Sequence, residues 1–288
     1  VGDVKTIRYN KGMSDYDNYE DLYTGLKILN AAPPKHDDFA VISPCFYKKE
    51  PEMVANSKKL FNQEEIKYIT YGKGERFSNK VYTNLLRLYV ELSRIEKQFE
   101  TVLVMDAYDT LYLGGGTILM LLSKFRNINR KEPTVILASE TNCYPSGSDI
   151  FYSNLGNLDQ AATPAYLNSG LILGPTNLIK VMIGEMIQKY DLQRFELNNE
   201  SLSHSQIYWH RYLNEGRLKN NIMVDYSSSF FFCMSSCDPY RELEIINPVK
   251  IRVKNTNTFP KIFHFNRCFV DEYKLLFGEF WVNSLDIR

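Results

Sequence analysis

The run Thr101-Val-Leu-Val-Met105 is almost unbroken in apolar character, and it restricts the chain to few folds. Successive side chains of a strand point to opposite faces, so a run without polar alternation buries both faces at once. That requires a packed layer above and below, as for an inner strand of a mostly parallel sheet. The preceding sequence supplies one layer: Val81, Leu85, Leu88, Tyr89, Leu92 and Ile95 recur at helical spacing on one face. Phe39-Ala-Val-Ile-Ser43, the alternating Glu65–Tyr71 and Thr134–Ala138 read as further strands, with helices over 54–63 and about Ile118–Phe125. Strand–helix alternation of this kind predicts a doubly wound α/β sheet.

The second half changes texture. Tyr166–Gly174 reads as a strand with a tight turn at Asn168-Ser-Gly170, followed by helices near 176–189 and 203–214. Short strands are expected at Ile222–Tyr226, Phe230–Cys233, Leu243–Ile246, Val249–Val253 and Phe259–Phe263. Residues 1–37 are polar and tyrosine-rich, and they close on Ala-Ala-Pro-Pro-Lys, a step that breaks helix and strand alike. They form an N-terminal extension, and 38–288 one composite domain.

Charge and cysteine content exclude several classes. The 34 basic and 34 acidic side chains give zero net charge, which argues against a nucleic-acid or anionic-membrane binder. No apolar stretch approaches the roughly 18 residues of a membrane span, and no secretory leader pattern opens the chain. Five scattered cysteines do not make a disulfide framework, and Cys233-x-x-x-Cys237 lacks the second pair that a zinc site needs.

Ligands of open α/β sheets gather beyond the carboxyl ends of the strands, and the buried strand ends in Asp106-Ala-Tyr-Asp109. Two carboxylates three positions apart on a turn hold a divalent cation, and the cation a diphosphate, as in transferases that use nucleotide-sugar donors; they serve equally as surface or capping residues. Tyr108 between them stacks on a base or packs against the sheet edge. Lys80, at the start of the helix over 81–95, is a phosphate ligand or a solvated first-turn lysine. His264 ends an apolar segment and is a third metal ligand or a hydrogen-bonded structural histidine; a mixed oxygen and imidazole set favours Mn²⁺ over Mg²⁺. Ser203-His-Ser-Gln206 fits a helix capping box. Gly114-Gly-Gly116 is not a dinucleotide loop, and no P-loop or His-Glu-x-x-His motif occurs.

From about residue 38 to 270 the chain resembles the N-terminal glycosyltransferase domain of the procollagen lysyl hydroxylases. The resemblance is carried in order by Ser78-Asn-Lys-Val81, Asp106-Ala-Tyr-Asp109, Leu113-Gly-Gly115, Val135–Glu140 with Tyr144-Pro145, and Tyr166-Leu-Asn-Ser-Gly170. Gln206-Ile-Tyr208, Ile222–Asp225, Val253-Lys-Asn255 and Phe259–Asn266 complete it. It implies a GT-A fold, with a Rossmann-like, mostly parallel sheet and a smaller mixed-sheet acceptor half. It implies a Mn²⁺-dependent enzyme that moves glucose from UDP-glucose to galactosylhydroxylysine of a collagen-like glycopeptide, with retention at the donor carbon and residence in the endoplasmic reticulum lumen. Asp106, Asp109 and His264 would hold the metal, Tyr108 would lie against uracil and Lys80 near the diphosphate. Asn168, Ser169, Gly170 and Gln206 would line the sugar and acceptor side, with Asn255 and Asn266 nearby.

Two departures stand out: Ser203-His204-Ser205 replaces a run of aspartates before the glutamine, and Arg267-Cys-Phe-Val270 replaces a Gly-Pro-Thr-Lys segment. The chain stops where that family continues, so no Fe²⁺- and 2-oxoglutarate-dependent hydroxylase activity is expected. A transferase with another UDP-sugar or glycan acceptor, and a silent UDP- or glycan-binding scaffold, are the alternatives. Oligomeric state is open, a homodimer among the options.

Overall fold

The computed structural model describes residues 38–46, 50, 52–75, 81–116, 118–144, 166–190, 204–247 and 249–266. The extension over 1–37, Lys80, Ser203 and Arg267 lie outside these residues. Strands β1 (Phe39–Pro44), β2 (Lys67–Tyr71), β3 (Thr101–Met105), β5 (Val135–Glu140), β6 (Tyr166–Pro175) and β7 (Ile222–Val224) form one sheet in the order β2-β1-β3-β6-β5-β7. Only β6 pairs antiparallel to its neighbours, β3 and β5; the other contacts are parallel.

Alternation along the strands sorts the core into two layers, as the apolar run requires. Phe39, Val41, Leu103, Met105, Ile136 and Ala138 face α1 (Glu52–Gln63) and α3 (Ile118–Asn129), packing on Phe61, Leu121, Leu122 and Phe125. Ile42, Val102, Val104, Val135 and Leu137 face the opposite layer of α2 (Val81–Ile95), α4 (Thr176–Lys189) and α5 (Ser205–Glu215). In α2 the expected stripe is buried at Leu85, Leu88, Leu92 and Ile95, with Tyr89 packed at its edge.

A smaller sheet of β4 (Thr110–Tyr112), β11 (Ile262–His264) and β8 (Phe231–Cys233) has β11 at its centre, antiparallel to β4 and parallel to β8. Its outer face packs on the hairpin of β9 (Leu243–Asn247) and β10 (Lys250–Val253) through Leu111, Phe232, Phe263, Ile251 and Val253. A one-turn helix α6 (Pro239–Glu242), capped by Asp238, precedes the hairpin.

The structure corrects three local expectations. β6 does not turn at Asn168-Ser-Gly170. Between the pairs Leu137↔Ile172 and Ala138↔Asn168 it bulges by three residues against β5, while its other edge stays bonded to β3. The turn-like composition therefore marks a bulge, which bends the strand where it passes the site. Gln206 does not complete a capping box: the N-cap of α5 is His204, without a side-chain cap bond, and the Gln206 amide is bonded elsewhere. β4, too short to give a periodic signal, was not expected.

Candidate metal centre and active site

The turn after β3 is tied down on three sides. The Asp106 N–H donates to the Gly170 carbonyl (2.9 Å), the Thr110 hydroxyl donates to the Asp106 carbonyl, and the Phe265 N–H donates to the Asp109 carbonyl (2.6 Å). β3, β6, β4 and β11 thus converge on four residues, which fixes Asp106 and Asp109 beside His264. One ligand atom from each of the three lies within 4.8 Å of the others. His264 Nε2 stands 3.3 Å from Asp109 Oδ2 and 3.7 Å from Asp106 Oδ2.

The buried imidazole is oriented from behind. Asn168 Oδ1 accepts from the Gly170 N–H (2.8 Å), a group that only donates, so the amide oxygen faces His264 Nδ1 at 3.0 Å. Nδ1 therefore carries a proton, and Nε2 is the nitrogen left for a cation. Nε2 is buried and makes no hydrogen bond, although both carboxylates surround it. A buried orphan nitrogen aimed between two carboxylates fits a divalent metal of mixed oxygen and nitrogen preference. Cys233 Sγ touches Nδ1 at 3.8 Å on the far side, and burial pushes its thiol up to about 11, so it serves as a neutral wall.

Close approach explains Gly170. A Cβ there would lie 2.3 Å from His264 Cε1 and 2.7 Å from Asp106 Oδ2, so no side chain fits between β6 and the two ligands.

The protonation pattern follows from crowding. Burial and the Asp109 charge raise Asp106 to about 7, against the pull of His264. Burial raises Asp109 too, but the imidazolium beside it wins and holds it low. Burial pulls His264 down, and the Asp109 carboxylate outweighs it, leaving His264 well above its ordinary range. Asp106 nevertheless keeps 49% of its side chain exposed, so the cluster opens to solvent on its side.

A second carboxylate organises the flank toward α5. Glu140, at the end of β5 and 2% exposed, accepts from Gln206 Nε2 (2.6 Å) and Asn266 Nδ2 (2.7 Å). Burial raises it above the usual carboxylate range, while these donors, Asn168 and the His264 charge hold it down. Gln206 Nε2 also donates to the Tyr144 carbonyl (2.7 Å), and its Oε1 accepts from the Ser169 N–H (3.2 Å). Asn168, Ser169, Gly170, Gln206, Asn266 and His264 thus belong to one network. Tyr108 is half-buried against the core and its hydroxyl accepts from the Phe46 N–H (3.0 Å), which anchors the ring beside the end of β1. Asn255 is exposed in the turn closed by the Val253–Thr258 bridge, outside this network.

Sequence reasoning passed over Glu140 as a functional group. Its signal was present: like Asp106, it is a carboxylate at the carboxyl end of a buried apolar strand.

The family profile described as the PLOD GT domain matches residues 55–276, most of the chain. The chain belongs to that family. The PLOD glycosyltransferase domain is thus a glycosyltransferase unit, and the mostly parallel sheet with its ancillary mixed sheet is the corresponding fold. Among solved structures the chain is similar to a glycosyltransferase involved in the glycosylation of the major capsid of PBCV-1. The TM-score is 0.50 at 12% identity, over 84% of this chain and 98% of that one, a likeness of fold. No curated protein sequence matches the chain. Among the described residues no helix is long and apolar enough to cross a membrane.

Proposed function

We propose that this PLOD-family domain is a Mn²⁺-dependent hexosyltransferase that moves glucose from UDP-glucose to galactosylhydroxylysine of a collagen-like protein. The observation that carries the reading is the orphaned His264 Nε2 set between Asp106 and Asp109 at the carboxyl edge of the sheet. When bound there, the cation supplies positive charge against the diphosphate that departs with uridine. The chain's own residues do the rest. Asn168 holds the proton on His264 Nδ1 and so presents Nε2. Gly170 leaves the space that the two ligands occupy. Gln206, fixed by Glu140, positions the Ser169 backbone on the sugar side. Tyr108 offers its half-exposed ring to the base, and Lys80 its ammonium to the diphosphate. The acceptor hydroxyl attacks directly, so no protein nucleophile is needed. Both Glu140 oxygens are occupied by amide donors, which suits a positioning role.

The test is UDP release and product mass with Mn²⁺, a panel of UDP-sugars and a galactosylhydroxylysine collagen peptide, for the native chain and Asp109→Ala. Peptide-stimulated release from UDP-glucose alone, lost in the variant, is expected. Release from another sugar reassigns the donor. Metal-dependent UDP binding without turnover on any sugar would instead make the domain a binding scaffold.

A further inference from the structure

The carboxyl ends of β1 and β2 meet α2 at a cluster centred on Phe46, which lies just past β1 and is buried. Three groups close on its ring. The Arg87 guanidinium, from the second turn of α2, lies 4.9 Å from the ring centroid. Tyr71, the last residue of β2, meets it edge-on, with centroids 6.2 Å apart and planes at 86°. Gly72 comes so close that a Cβ there would stand 2.4 Å from Phe46 Cε1, and its φ of +76° disfavours a side chain as well.

Arg87 also holds the turn that follows β2. Its Nη2 stands 2.5 Å from Glu75 Oε2, and the Glu75 N–H donates to the Gly72 carbonyl (3.0 Å). The Glu75 side chain is 51% exposed, so this ion pair by itself contributes little. The same guanidinium lying on a buried ring adds a contact that solvent screens less. One side chain therefore ties α2 both to the end of β1 and to the turn after β2.

Phe46 passes this restraint on to the metal centre. Its N–H donates to the Tyr108 hydroxyl (3.0 Å), and Tyr108 stands in sequence between Asp106 and Asp109. The Cys45 N–H donates to the Tyr71 carbonyl (2.8 Å), which keeps the chain on β2 up to the residue before Phe46. Burial raises the Tyr71 phenol, the Asp106 and Glu91 charges raise it further, and Arg87 opposes them. The phenol thus feels both the metal-site carboxylate and the guanidinium.

We propose that Arg87 is a positioning residue of the donor site, fixing Phe46 and the Gly72–Glu75 turn so that the Tyr108 ring is held ready for the base of a nucleoside diphosphate. The proposal rests on the transferase reading above, in which Tyr108 faces the base, and names what orients that ring. Arg87 acts through Phe46 and needs no contact with the ligand. A ring already tethered does not have to be ordered on binding, which favours affinity.

The experiment measures UDP binding with Mn²⁺ by calorimetry for the native chain, Arg87→Ala, Arg87→Lys and Arg94→Ala. Donor KM and kcat are followed in parallel with UDP-glucose and the glycopeptide acceptor. Arg87→Ala should weaken UDP binding by about tenfold, the equivalent of about 1.4 kcal/mol. Donor KM should rise with it, while kcat and acceptor KM hold. Arg87→Lys keeps a charge for Glu75 but loses the planar stack, so it should recover part of the loss. Arg94→Ala removes an exposed ion pair with Glu91 about two turns further along α2, and it should bind UDP as the native chain does. Mn²⁺ affinity without nucleotide should hold in every variant, because the metal turn is tied to β6 and to the residue after β11; this also shows each variant to be folded. UDP affinity in Arg87→Ala within about twofold of native would overturn the proposal. So would equal losses in Arg87→Ala and Arg94→Ala, a fall in Mn²⁺ affinity in Arg87→Ala, or a loss confined to kcat. A native chain that binds no UDP would overturn the transferase reading and this proposal together. One that binds UDP and transfers no sugar would overturn that reading alone, and the calorimetry would still decide the role of Arg87.

Discussion

At the scale of single residues, the centre is governed by how little room it leaves. Gly170 has its neighbours at contact already, so Gly170→Ala pushes a methyl group into His264 and Asp106. Displacing a group that orients a metal ligand costs about 10- to 100-fold in metal affinity, and overpacking costs about 1–3 kcal/mol. We expect Mn²⁺ affinity, followed by the loss of the free-ion electron-spin signal, to fall by about that factor while the far-ultraviolet circular dichroism is kept. Protons compete for the same atoms. Asp106, held at about 7 by burial and by Asp109, and His264, lifted by Asp109 against the pull of burial, both bind protons in the metal-free protein near neutrality. A cation must displace them, so its affinity rises with pH, by about tenfold per unit for each proton released. Titrations from mildly acidic to mildly basic buffer should show that slope, and Asp106→Asn should reduce it.

Among the elements, α5 carries the most unusual load. His210 is fully buried in it, and burial depresses it to about 4 in spite of its bond to the Tyr144 carbonyl. Its folded value lies below its unfolded one, about 6.5, so the neutral ring stabilises the fold fully above that point. The contribution is lost as pH falls toward 4, and amounts to about 3 kcal/mol at 1.36 kcal/mol per unit. Unfolding free energies from urea titrations at neutral and acid pH should separate by about that amount, and His210→Gln should narrow the gap. The same helix shows where sequence stops being readable. Its apolar positions announce a helix, and α2 is legible to its ends because its buried residues recur at regular spacing. The role of Gln206 was hidden, because its partners Ser169, Tyr144 and Glu140 lie 37, 62 and 66 residues away, whereas the capping pattern that suggested itself is local. The bulge in β6 escaped for a related reason: Asn168-Ser-Gly170 has turn composition, and the long-range pairing of Asn168 with Ala138 and of Leu171 with Met105, on either side of it, keeps the strand running. Asp106, Asp109 and His264 were legible because each ends an apolar strand or lies just past one, a position that sequence pattern marks without knowledge of partners.

For the whole molecule, the binding centre couples parts that are remote along the chain. Its candidate ligands come from the end of β3, the turn after it and the end of β11, on two different sheets, so only the assembled fold presents them together. A cation that binds this state alone stabilises it by about 2.7 kcal/mol at a hundredfold excess over its dissociation constant. The melting temperature should therefore rise with added Mn²⁺ and return with a chelator, and Asp109→Ala should be insensitive to both. Donor nucleotide should add to the shift only when the metal is present.

The central place of β11 in the small sheet also sets a timetable. Emerging from a ribosome, the chain exposes β1 to β3 and both aspartates long before residue 264 leaves the exit tunnel. Until β11 slides between β4 and β8, the carboxylates have no imidazole opposite them and the Thr110 to Tyr112 edge lacks the partner strand it has in the folded protein. Domains tend to fold from the N-terminus as they are made, and here the large sheet gains most of its strands early. Activity is therefore the last property the nascent protein acquires. A translation intermediate stalled before β11 is a largely assembled scaffold that cannot consume the sugar nucleotide around it.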